Sequence, residues 1–91
     1  IKDTSYGLSD VMKMRAVEFD WKEKRDKAHD IGVIAQEIEE IIPEVVKEVE
    51  TLNTDGETHK VVDYAKLSSV LIKAIQEQQQ QINKLEEKLN G

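Results

Sequence analysis

The sequence predicts an α+β fold, mainly helical by residue count: short helices and a small β-sheet or hairpin, followed by one long C-terminal helix. Three observations predict it. Apolar residues recur at helical spacing from Asp63 nearly to Gly91. Val17, Phe19 and Trp21 alternate with Glu18, Asp20 and Lys22, the period of a strand with one apolar face. Two β-prone segments flank Asn53-Thr54-Asp55-Gly56, whose Asp-Gly pair supplies the positive φ that a hairpin turn needs.

In chain order, Leu8, Val11 and Met12 fall at helical spacing behind Thr4 and Ser5, whose hydroxyls are candidate caps. The strand of Arg15 to Lys22 follows, and then Glu23 to Asp30, too charged to bury and read as an exposed loop. Ile31-Gly32-Val33-Ile34 suits a short buried strand, and it leads into Ala35, Ile38, Ile41 and Ile42 on one face of a helix. Pro43 ends that helix because it cannot continue the hydrogen-bond ladder. Val45 to Leu52 and Thr58 to Val62 form the predicted hairpin, and Asp63 caps the last helix. The chain thus divides into a small α+β part, residues 1–63, and an oligomerisation helix, residues 64–91.

That last helix has a heptad frame. With Tyr64 at position d, positions a are Ser68, Ile75, Ile82 and Leu89, and the other d positions are Leu71, Gln78 and Leu85. Leu67, Val70, Ile72 and Ala74 widen the apolar stripe in the first half, whereas the second half narrows to Ile82, Leu85 and Leu89. One helix therefore has two tasks: its start packs on the globular part and its end packs on copies of itself. A helix that protrudes with Leu and Ile along one side needs partners. The Gln78–Gln81 run, bracketed in phase by Ile75 and Ile82, reads as coiled coil with a Gln78 layer that costs stability and sets register.

Composition narrows the function classes. The chain has 91 residues, is 38% hydrophobic with 4% aromatic, and is 35% charged, so a monomer's own core is thin and a partner subunit would add burial. A net charge of -6 is the wrong sign for gripping phosphates, which argues against nucleic acid and anionic membranes as partners. There is no cysteine, so disulfides and thiolate metal sites are excluded. No stretch reads as a membrane span or a signal peptide. The first residue is Ile1, which suggests a processed or trimmed piece.

Four motifs in order carry a resemblance: Arg15-Ala16-Val17-Glu18-Phe19-Asp20-Trp21, Gly32-Val33-Ile34-Ala35-Gln36-Glu37, Pro43-Glu44-Val45-Val46 and Val62-Asp63-Tyr64-Ala65-Lys66-Leu67. They resemble the endosialidase-type intramolecular chaperones, also classed as self-cleaving serine peptidases, found at the C-termini of phage tail fibres and spikes; a membrane-bound eukaryotic transcription factor uses a similar domain. The resemblance implies a homotrimer that registers an upstream β-rich stalk of the same polypeptide, with no cofactor. It implies a virion assembly intermediate in the host cytoplasm, released by autoproteolysis. The cut in such domains uses a serine and a nearby lysine in a motif expected just before Ile1, so these 91 residues are expected not to cleave. A permanent trimerisation module of a fibre or adhesin, or of a related self-cleaving transcription factor, is the alternative.

Other constellations are weaker. Ser9 and Lys13 stand four apart, as a Ser-Lys dyad would, yet nothing marks an oxyanion hole or a buried lysine, and a solvated helix face is the plain reading. His29, Asp30 and Glu37 read as a charged loop beside a helix start and not as a metal set, and His59 faces out of its strand. Val17, Phe19 and Trp21 read as core packing. On copy number two rules diverge: Ile at a with Leu at d favours dimers, while the resemblance implies trimers, and the trimer is the expectation adopted.

Overall fold

The computed structural model describes residues 1–20, 29–52 and 55–91. Its elements are α1 (Leu8–Val11), β1 (Val17–Asp20), β2 (His29–Gly32), α2 (Ala35–Ile41), a 3₁₀ turn (Pro43–Val45), β3 (Val46–Glu50), β4 (Thr58–Val62) and α3 (Tyr64–Asn90). The strands form two separate antiparallel pairs, β1–β2 and β3–β4. Among the described residues, no helix is long and apolar enough to cross a membrane.

The first turn of helix is capped differently from the expectation. Gly7 is its N-cap, and the Gly7 amide donates to Asp10 Oδ2 at 3.0 Å. Thr4 is occupied one turn earlier, where Oγ1 accepts from the Tyr6 amide at 3.2 Å. A carboxylate three residues into the helix can satisfy an orphan amide as well as a hydroxyl at the cap, so the start slides to Gly7.

The β1–β2 pair aligns Val17 with Gly32, Glu18 with Ile31, Phe19 with Asp30 and Asp20 with His29. His29 and Asp30, read as loop, are strand residues; Trp21, Lys22 and the rest of the charged stretch through Ala28 lie outside the described residues. The Ile31–Ile34 run is not a buried strand. Ile31 is 69% exposed, because among the described residues the β1–β2 ribbon has no second layer to cover it. Only Val33 reaches the core from this run.

Helix α2 stops where Pro43 requires, and Pro43 opens the 3₁₀ turn that delivers Val45 to the interior at 2% exposure. Val45 is therefore a core residue of the turn, and β3 begins one residue later. The β3–β4 register runs from Val46 opposite Val62 to Glu50 opposite Thr58. In the connecting turn Gly56 takes φ +76°, the left-handed conformation that the Asp-Gly pair anticipates. Asp63 then caps α3, its Oδ1 accepting from the Lys66 amide at 3.2 Å.

Ile38, Ile42, Val45 and Val70 form the buried cluster, with Tyr6, Val11, Met14, Val33, Ile41 and Val46 packed around it. Leu67 and Ala74 are buried on the same side of α3. The core is thus made between α2, its following turn and one face of the long helix. A handful of aliphatic side chains, each worth about 1.5–3 kcal/mol on burial, is small capital for a chain of this length.

Candidate functional site

Helix α3 places two apolar faces side by side. Leu67, Val70 and Ala74 are turned inward and covered by the chain's own globular part. Rotating by about 100° per residue puts Tyr64, Leu71, Ile75, Ile82 and Leu89 on a stripe roughly 80° away from that inner face, and Leu85, five turns on from Leu67, nearer its line. All six are exposed, from 39% at Leu71 to 86% at Leu89. Every residue from Gln78 to Gly91 is exposed, Gln78 among them. At about 1.5 Å per residue, the 27-residue helix is roughly 40 Å long, and the molecule reaches 63 Å in its longest dimension. The polar residues that interrupt the stripe have local partners or solvent. Ser68 Oγ donates to the Tyr64 carbonyl at 2.8 Å, which lets a serine occupy an a position without an unsatisfied hydroxyl.

The other singled-out residues fall around the base of this helix. Gly32 faces the start of α3: a Cβ there would lie 3.1 Å from Tyr64 Oη and 3.7 Å from Phe19 Cε1. The glycine in the strand is thus room for an aromatic neighbour. Val17 is half-buried, while Phe19 and Ile34 stay 37% and 36% exposed and lie outside the buried cluster. Trp21 lies outside the described residues. Ala35, Gln36 and Glu37 open α2. Arg15 Nε donates to Glu37 Oε1 at 3.2 Å and its Nη2 holds the other oxygen, tying the approach to β1 onto α2. That hydrogen bond keeps the Glu37 carboxyl below its ordinary range and Arg15 above its own. Pro43 stands exposed at the head of the 3₁₀ turn.

Among the described residues, no group of His, Asp and Glu side chains could hold a metal ion. Ser9 and Lys13 are both exposed, and α1 ends at Val11 before it can align them. Glu37 pairs with Arg15 and does not join His29. His29 instead sits between Asp20, at 2.9 Å from Nδ1, and Glu18, at 3.6 Å from Nε2, across the hairpin. His59 is exposed and shares a hydrogen bond with Thr51 Oγ1 at 2.9 Å.

One contact escaped the sequence reading. The Glu77 carboxylate accepts from the Leu8 amide at 3.2 Å and fills the space above Gly7, where a Cβ would lie 1.8 Å from Oε1. Lys73 reaches Asp3 at 3.8 Å on the same side. No local pattern signals a contact between residues 69 positions apart in the chain. Gly7→Ala should push the Glu77 carboxylate off the Leu8 amide, costing on the order of 1 kcal/mol. Because Glu77→Ala removes the same interaction, the double mutant should lose clearly less than the sum of the singles in urea unfolding at fixed protein concentration. Additive losses would show that the two residues do not act together.

Helix α3 thus carries an exposed apolar stripe next to a face closed by its own chain. Residues 1–47 match the family described as Chaperone of endosialidase. The chain belongs to the endosialidase chaperone family. The match takes in α1, β1, β2, α2, the 3₁₀ turn and the start of β3, and with them three of the four motifs. Helix α3 lies beyond the matched segment. This family fits a chaperone role.

Proposed function

We propose that this chain is an intramolecular chaperone of a phage tail fibre or spike, which trimerises through the outer stripe of α3 and sets the register of the fibre stalk upstream of it. The observation that carries the reading is the exposure of Tyr64, Leu71, Ile75, Ile82, Leu85 and Leu89 beside a covered inner face. A stripe left bare by its own chain and repeating at heptad spacing fits identical neighbours.

The physical service is one of order. A trimeric β-stalk has many near-equivalent pairings, and a slip of one residue turns every side chain to the wrong face. Joining three chains first at a helical bundle makes later pairing intramolecular, at high effective concentration. Helical contacts are local and form early, while stalk contacts are distant in sequence and form late. Once assembly is complete the domain is released by autoproteolysis on its N-terminal side.

The seam alone gives a modest association energy. Five aliphatic side chains at about 2 kcal/mol each yield roughly 10 kcal/mol, comparable with the roughly 4–15 kcal/mol that association costs. Light scattering on the purified chain decides the copy number. The expected mass is three times 10.4 kDa; a dimer or monomer mass at micromolar concentration would refute the trimer. The mass of the mature parent protein separates release from a module that stays in place, because release removes this domain's mass.

A further inference from the structure

The N-terminal stretch crosses α3 as a strap. Lys73 of α3 reaches Asp3 at 3.8 Å, and one turn further along Glu77 accepts from the Leu8 amide at 3.2 Å. Tyr6 Oη donates to Glu44 of the 3₁₀ turn at 2.8 Å. Tyr6 and Val11 pack on the buried cluster that contains Val70. Between the two anchors on α3, Ala74 is 3% exposed. Of the described elements, α1 and the 3₁₀ turn approach the backbone of α3 most. The strap is therefore the lid over the inner face at Ala74, and it shares the cover of Val70.

Three features make this lid easier to lift than the rest of the fold. Helix α1 is four residues long, far below the roughly 12–15 residues at which an isolated helix is even marginal. It unravels once it leaves α3. A crevice of about 230 Å³ separates Thr4 and Tyr6 on the strap from Ile42, Val45, Ser69 and Val70 beneath it, so close contact is lost there. The Tyr6–Glu44 and Asp3–Lys73 contacts face solvent and hold weakly. Glu77 differs from these. Its carboxylate meets an amide that has no partner within its own helix, directly above the buried Gly7. On the far side of α1, Met12 and Lys13 are exposed, and the Arg15–Glu37 pair ties the chain that follows to α2. The strap has a hinge at Met12 and Lys13 that leaves β1 in place.

We infer that residues 3–11 open as one unit, with Glu77 as the catch, and that opening uncovers the inner face of α3 at Val70 and Ala74. The long helix then shows a second apolar surface besides its outer stripe. The catch sets how much of the time that surface is available.

Hydrogen exchange on the intact chain at one protein concentration reads the opening. The Leu8, Val11 and Met12 amides, bonded to Glu77, Gly7 and Leu8, should share one protection factor. It should lie at least about tenfold below that of the Ile42 amide, which is bonded to Ile38 in the core. Glu77→Ala should speed all three strap amides about tenfold and leave Ile42 unchanged, whereas Glu77→Gln, which keeps an acceptor oxygen, should retain most of the protection. The sequence has no cysteine, so Ala74→Cys reports on the covered face alone. Its thiol should react with a maleimide reagent about tenfold faster when Glu77→Ala is added. Acceleration at Leu8 alone overturns the inference, because the contact is then local. Equal acceleration at Ile42 overturns it too, because the strap then opens only with the whole fold. Unchanged labelling of a folded Ala74→Cys protein does the same, and the exchange measurement decides the matter without the thiol if that variant misfolds.

Discussion

Ile82→Asp will convert the assembly to monomers at micromolar concentration while leaving the globular part folded. In the proposed parallel trimer every a position would meet its equivalents at the axis, so the substitution would place three carboxylates in one layer that excludes water. Unpaired charges there carry a desolvation penalty that nothing nearby repays. The chain's own fold is insulated from the change. Ile82 is exposed in the single chain, and the helix beyond Gln78 touches nothing in the buried cluster. Sedimentation or light scattering should show the monomer mass, and far-UV circular dichroism should show partial loss of helix. The last turns of α3, without neighbours, form a segment near the length at which isolated helices are marginal. An Ile82→Asp protein that keeps its full assembled mass would mean that the heptad frame is misplaced.

Ile38→Ala will act in the opposite way, on folding and not on copy number. Ile38 is 1% exposed and stands at the centre of the buried cluster between Ile42, Val45 and Val70. Removing its side chain forfeits transfer free energy and leaves a cavity, together about 2–5 kcal/mol for such a site. Small domains have roughly 5–15 kcal/mol in total, so the loss is a large fraction of the whole. A midpoint lowered by on the order of 15 °C is the expected thermal result, read at fixed concentration because assembly adds stability by mass action. Whatever fraction folds should still assemble, since the outer stripe is untouched. A variant that melts within a degree or two of the parent would place the core elsewhere.

Much of this architecture was legible because the signals are local. Pro43 ends a helix, Asp63 caps one and Gly56 turns a hairpin through backbone and side-chain chemistry confined to a few neighbours. The long helix α3 was likewise readable from the spacing of its apolar residues. The misreadings share one cause. Ile31 looked buried because it is apolar, and His29 and Asp30 looked like loop because they are polar, yet all three lie in a two-stranded ribbon that no other described element covers. Composition indicates what a residue would gain from burial, not whether another element arrives to cover it.

The sequence by itself therefore determined the order of elements, their stops and turns, and an apolar stripe on the long helix that is wider in its first half than in its second. Only the tertiary structure decided which face of α3 its own chain takes. Ile38, Ile42 and Val45 cover the side carrying Val70, and Glu77 closes over Gly7, leaving Leu71, Ile75 and Ile82 outward. Periodicity is a property of neighbours along the chain, whereas the choice between two adjacent apolar faces depends on contacts between segments far apart in sequence.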